Sequence, residues 1–341
     1  MSAHEAPEPA PSPPTGFKPH HVAIWLGIGI AVFIVISGAL PLITGWDNDN
    51  AIHREVFGGI PGPLQVAFYT AIPVVIAWAS FRFAERMRNW ERGRPAPTRR
   101  TTSNNAKRRF ADFRAGVYMR TLLRDPAAGL MHSMIYFGFL VLLAVTTVLE
   151  IDHQLPESLK FLHGQTYQAY AFVADLAGLV FVGGVVWAIV RRYAARPYRI
   201  RIKTRPEHAV ILGVLLAIGL TGFAAEMFRI AEATRDGEDL DYEKWSFIGW
   251  PLSRLVDGWS LSTLDAVHAW TWIAHVVAFV AFVVIIPLTM LRHMFTSPLN
   301  MYLRAHDRPK GAMKPLPNLS ETELETFGAS VVEDFTWKQL L

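Results

Sequence analysis

The apolar residues of this chain fall into six long runs, at roughly 22–44, 64–81, 130–149, 166–190, 208–230 and 265–291. About 20 apolar residues are what an α-helix needs to cross a hydrocarbon core of about 30 Å. Within that core every backbone N–H and C=O must be satisfied inside the segment, which leaves helices or closed barrels as the only spanning structures. Runs of helical length therefore predict an all-α fold, an integral membrane bundle of about six transmembrane helices. Composition agrees: 18% of the residues are charged, against about a quarter in an ordinary soluble domain. The run at 64–81 is the shortest and contains Pro73, which a membrane helix tolerates when neighbours satisfy the freed carbonyl.

Charge in the loops gives the orientation. Residues 82–124 hold 13 Lys/Arg against three acids, and 191–206 hold seven Lys/Arg and no acid, whereas 231–264 carry seven acids against three bases. Cytoplasmic loops are enriched in Lys and Arg, so the basic loops are expected in the cytoplasm, with both termini on that side of a bacterial inner membrane. The basic runs sit at span ends, where this bias belongs, and give no reason to invoke nucleic acid. The stretch 99–109 (RRTTSNNAKRR) is expected to be an exposed loop touching anionic membrane lipid. Residues 1–20, rich in Pro and Ala, read as a disordered cytoplasmic tail without the features of a cleaved signal peptide. Residues 21–295 form the expected transmembrane domain. The segment 296–341, with its amphipathic ending EDFTWKQLL, reads as a cytoplasmic connector to a partner or a further domain.

The chain has no cysteine, which excludes disulfides, cysteine-held iron–sulfur clusters and c-type haem in this sequence. A metal or haem would have to use His, Met or carboxylate ligands. Of the 12 histidines, those in or beside the spans matter most, because a polar side chain in hydrocarbon is costly and marks a functional site. His132 lies just inside the third run. His275 and His293 lie in the sixth, 18 residues apart. On one continuous helix that is five full turns, so both would face the same way, separated by about 27 Å. A shared helix with one imidazole near each side of the membrane is what a transmembrane pair of b-type haems requires. His132 and His293 match in depth near the basic loops. For His275 the favoured partner is His163, at the outer start of the fourth run, with His153 and His268 as alternatives. His4, His20, His21, His53, His208 and His306 read as surface or interface residues.

Three further polar residues fall inside runs: Asp175 in the fourth, and Glu226 and Arg229 toward the outer end of the fifth. Quinone reduction consumes two protons, so these are candidate quinone or proton groups; a helix-to-helix salt bridge is the equal alternative. The stretches GLVFVGG and GLTGFAA suit close helix packing.

His275, His293 and the following MFTSPLNMYLR resemble the membrane domain of the respiratory nitrate reductase gamma subunit superfamily. More closely, the chain is similar to the membrane part of heterodisulfide-reductase-related iron–sulfur oxidoreductases. These include dehydrogenases that carry electrons from electron transfer flavoprotein to menaquinone. HSMIYFGF at His132, FLHG and DLAGL, RRYAARP and TGFAAEMFRI carry the likeness over about residues 64–341. The resemblance implies one or two haems b held by His132, His163, His275 and His293, a quinone as substrate, and an iron–sulfur subunit or domain as partner. In the nitrate reductase relatives two histidines on one helix pair with two on another; here the third run offers only His132, which leaves the second haem open. In fused relatives the segment like FGASVVEDFTWKQLL leads into a cysteine-rich domain, which here would be a separate or missing part. Two other classes compete: a haem-free membrane anchor of a redox complex, and a proton-coupled transporter. The latter predicts inverted repeats and broken helices near the midplane.

Overall fold

A computed structural model describes residues 52–118, 122–238, 240–304, 318, 320–323 and 329–341. The run at 22–44 and the tail at 1–20 lie outside them. The described residues are helical, and five helices are long and apolar enough to cross a membrane: α1 (Gly62–Glu91), α3 (Pro126–Gln154), α4 (Gly164–Ile189), α5 (Pro206–Asp236) and α6 (Leu261–Leu288). The chain is a multi-pass membrane protein. Two shorter helices, α2 (Ser103–Val117) and α7 (His293–Tyr302), lie at the basic-loop end.

Local chemistry sets the helix ends. Pro126 opens α3, and the Asp125 side chain caps it by accepting from Ala128 N at 3.2 Å. α5 stops at Gly237, whose φ of 99° is free only for glycine. α1 runs through Pro73 and reaches Glu91, ten residues past the expected end of its run. The stretch 99–109, expected as a loop, is mostly helix, because Thr102 and Asn105 form a reciprocal cap at the start of α2.

α3 packs on α4, α4 on α5, α5 on α6, and α6 on α1. The main apolar core lies between α4, α5 and α6, around Phe181, Val185, Leu212, Leu215 and Phe282. Missing Cβ atoms allow these approaches. A Cβ on Gly138 would fall 2.9 Å from Phe181 Cβ, one on Gly184 2.9 Å from Met134 Cβ, and one on Gly219 2.5 Å from Val182 Cγ2. The glycine-rich stretches are packing seams.

One expectation is corrected. His275 and His293 do not share a helix. α6 ends at Leu288, Thr289 is extended (φ −114°, ψ −175°), Met290–Arg292 form a 3₁₀ turn, and His293 begins α7. The break falls two residues after Pro287, where Thr289 leaves the helix with its hydroxyl bonded back to the Ile285 carbonyl at 2.7 Å. The Thr289 hydroxyl then accepts from Leu291 N at 3.2 Å, and Glu207 Oε1 accepts from Met290 N at 2.5 Å, which satisfies the restarted backbone. The five-turn phase relation between the two histidines therefore does not hold.

Candidate haem and quinone site

At the basic-loop end, α3 and α7 bring His132 and His293 together despite the helix break. Their ring centroids lie 6.3 Å apart with planes inclined at 61°. His293 Nδ1 bonds to the Met290 carbonyl at 2.7 Å. A carbonyl can only accept, so the proton sits on Nδ1 and leaves Nε2 with its lone pair available. His132 Nδ1 is buried and has no hydrogen-bond partner among the described residues. Met131 and Met294, next in sequence to the two histidines, pack against the main apolar core.

His132 and His293 are the residues that would hold a metal between two imidazoles: metal–nitrogen bonds of about 2 Å, plus about 1 Å from each nitrogen to its ring centre, would put the centroids about 6 Å apart. The backbone bond to His293 Nδ1 is the outer contact that ordinarily orients a ligating histidine.

At the opposite end the histidines are dispersed. His275, midway along α6, faces α5. Its Nδ1 lies 3.1 Å from Thr221 Oγ1, and a Cβ on Gly222 would come within 3.3 Å of its Cε1. Thr221 donates its own hydroxyl proton to the Ala217 carbonyl at 2.6 Å, so His275 Nδ1 is the donor between them, with the Ile218 backbone also against the ring. His163 is exposed at the N-terminus of α4, a helix that packs on α3 and α5 rather than on α6. His153 packs its ring edge-on to Phe57 at 5.6 Å, and His268 Nδ1 is hydrogen-bonded to Glu232.

The three polar span residues form one buried network with the loop after α5. Arg229 donates to Glu243 Oε1 at 2.8 Å; the Tyr167 hydroxyl donates to the same oxygen at 2.8 Å, and Ser246 to Oε2 at 3.2 Å. Burial alone would raise the pKa of Glu243. The Arg229 charge and the hydrogen bonds from Arg229 and Tyr167 outweigh it and hold the carboxyl below its ordinary range. Asp175 Oδ2 accepts from Ile248 N at 2.6 Å and Gly249 N at 3.2 Å. Glu226 lies beside Asp175 and presses on Gly249, where a Cβ would fall 2.6 Å from its Cδ.

Sequence reasoning missed four residues here. Glu243 looks like one more acid in an acidic loop, and Tyr167 and Thr221 like ordinary span residues. Arg54, whose buried Nε has no partner among the described residues, comes from the segment before α1 and stands near Glu226, Tyr170 and His275. No periodicity marks a loop residue that folds back onto a bundle.

Comparison with known proteins places the chain in a family. The nitrate reductase gamma subunit family matches residues 121–308, a stretch that contains His132, His163, His275 and His293. The chain is 29% identical over 311 residues to an EtfAB:quinone oxidoreductase of Syntrophomonas wolfei, covering 90% of this chain and 42% of the relative. It is 23% identical over 228 residues to a probable iron–sulfur-binding oxidoreductase, FadF, of Bacillus subtilis, covering 65% of this chain and 30% of the relative. The chain thus spans less than half the length of either. No solved structure matches it significantly.

Proposed function

Since the chain belongs to the nitrate reductase gamma subunit family, we propose that it is the haem-b membrane domain of a respiratory oxidoreductase. In this reading it passes electrons between a cytoplasmic iron–sulfur partner and a membrane quinone, menaquinone in particular. The observation that carries the reading is the facing pair His132 and His293, 6.3 Å between ring centroids.

Bound between them, haem b would supply a one-electron carrier inside the bundle. The protein's part is positional. The Met290 carbonyl fixes the His293 ring and its tautomer, α3 presents His132 from the other side, and Met131 and Met294 join the pair to the apolar core that keeps water away. The reading requires one haem. His275 is the candidate ligand for a second, and His163 its proposed partner, which would have to approach from the exposed start of α4.

Quinone chemistry needs protons as well as electrons. The Glu226–Asp175 pair is the proposed proton group at the acidic-loop end, and Arg229, neutralised by Glu243, is its positioning neighbour. The names of the relatives join EtfAB to quinone and mention iron–sulfur binding. An electron transfer flavoprotein acting through an iron–sulfur subunit or domain is accordingly the proposed donor.

The test is the absorption spectrum of the purified, dithionite-reduced protein. A low-spin b-type signature is expected, and correctly inserted protein without haem absorbance would falsify the reading. The orientation is tested separately, since the chain has no native cysteine. Single cysteines at positions 100 and 320 should be closed to an impermeant label added outside cells, and one at 240 open to it. The opposite pattern reverses the topology.

A further inference from the structure

Helix α2 has two faces that differ in kind. The inner one is fixed to α7. Arg109, 4% exposed, donates to the carbonyls of Tyr302 (3.2 Å), Thr98 (3.3 Å) and Arg100 (3.4 Å) and to Asn105 Oδ1 (3.3 Å). Gly116 meets Met301 so closely that a Cβ would fall 1.8 Å from its sulfur, and Asp112 pairs with Arg304 at 3.9 Å.

The outer face carries Lys107, Arg108, Phe110 and Arg114, all exposed, and Tyr118 caps the helix. At 100° per residue these positions share one side of the helix. Asp112, the one acid between 103 and 118, is turned inward. Phe110 and Tyr118 are each 63% exposed, and Leu123, in the turn that follows, is 46% exposed. One exposed aromatic is ordinary on a protein surface. Here the level decides. α2 connects the end of α1 at Glu91 to the start of α3 at Pro126, and both are ends of spans on the same side. Beside two span ends on one side, a basic face mixed with aromatic side chains is the pattern of an interfacial helix.

We propose that the outer face of α2 binds the anionic phospholipid headgroups of the adjoining leaflet. Lys107, Arg108 and Arg114 lie over the phosphates, and Phe110 and Tyr118 enter the boundary between headgroups and acyl chains. The inner face transmits the attachment, because Tyr302 and Met301 belong to α7, whose first residue is His293. Lipid seated on α2 steadies the helix that presents that imidazole.

The absence of native cysteine permits a direct test. Phe110→Cys, or Tyr118→Cys where the first variant is poorly folded, is labelled with bimane in the full chain. The protein is then placed in nanodiscs of phosphatidylcholine with a rising fraction of phosphatidylglycerol. The label should become protected from aqueous iodide and quenched by lipids brominated on the acyl chain as the anionic fraction rises. Replacing Lys107, Arg108 and Arg114 by Gln should weaken the attachment about fivefold for each cation removed, so that protection requires a higher anionic fraction. Free quenching by iodide at every composition overturns the proposal. So does equal protection in purely zwitterionic discs, and so does protection that appears only when a soluble partner protein is added, which would make this face a protein-docking surface.

Discussion

At the basic-loop end, two imidazoles from α3 and α7 meet, one with a buried nitrogen that has no partner and the other with its second nitrogen uncommitted. At the acidic-loop end the carboxylates are tied down, Glu243 by Arg229, Tyr167 and Ser246 and Asp175 by two backbone N–H groups, although Arg229 Nε and Arg54 Nε are buried without a partner among the described residues. A buried polar atom without a partner costs about 1–3 kcal/mol. What separates the two ends is the facing of two imidazole rings at one and the tied carboxylates at the other. On the proposed reading, the His132–His293 pair is the ligand site and the outer network is a scaffold around Glu226.

The largest expected effect breaks the comparison at the open end. His132→Ala or His293→Ala should abolish the low-spin haem absorbance of the reduced protein, since each removes one of two axial groups. His275→Ala should leave it in place. Retention of low-spin haem in both of the first two variants overturns the assignment, and a fractional loss in His275→Ala, read as haem per chain, would point to a second haem.

Much of this contrast was legible in the sequence. The five described spans follow from apolar run length, and His132 and His293 were matched by depth alone. Asp175, Glu226 and Arg229 stood out as charges in hydrocarbon. The break at Thr289 was hidden because hydropathy stays high through IIPLTMLRHMF, although Pro287 was the available signal. The pairing survived that error because depth depends on where a span ends, while the phase argument for His275 needed an unbroken helix. Glu243 and Arg54 were illegible for a different reason: both lie in connecting segments, and long-range folding of a loop leaves no local pattern. The cap at Thr102 and Asn105 could have revealed α2, but the density of Lys and Arg read as loop.

The second prediction tests the closed end. Arg229 and Glu243 are buried, with side chains 10% and 0% exposed. Removing one member of a buried pair strands the other charge and costs about 3–5 kcal/mol. Arg229→Leu and Glu243→Leu should each lower the thermal midpoint of the detergent-solubilised protein sharply, and the double variant by less than the sum of the two. Additive losses would mean that the two side chains act independently.

Next in size is Gly249→Ala. The added Cβ would fall 2.6 Å from Glu226 Cδ and 2.7 Å from its Cγ, forcing the Glu226 side chain to shift at a cost of about 1–3 kcal/mol. The control is Gly213→Ala on α5, where a Cβ meets nothing within 4 Å. If Glu226 serves quinone chemistry, Gly249→Ala should also slow haem oxidation by a quinone, with haem content unchanged. A variant that loses stability but oxidises at the normal rate would assign Glu226 to the scaffold.

The smallest expected effect is a pH dependence confined to the closed end. The Glu243 carboxyl is held below its ordinary range of about 4.3, so its ionised form is favoured by folding. A depressed carboxylate contributes stability that is present in full above the unfolded value and lost as pH falls through the folded one. Glu243→Gln keeps an acceptor oxygen for Arg229 but not the charge, and should cost on the order of 1 kcal/mol at neutral pH, the difference between a charge-assisted bond and a neutral one. The gap in thermal midpoint between the native protein and this variant should stay constant down to about pH 5 and narrow below about pH 4. Comparing the two proteins at each pH cancels the other carboxylates, which titrate alike in both. A gap that persists unchanged into acid would show that the contribution of Glu243 is packing alone, and the outer network would then owe its rigidity to shape rather than to charge.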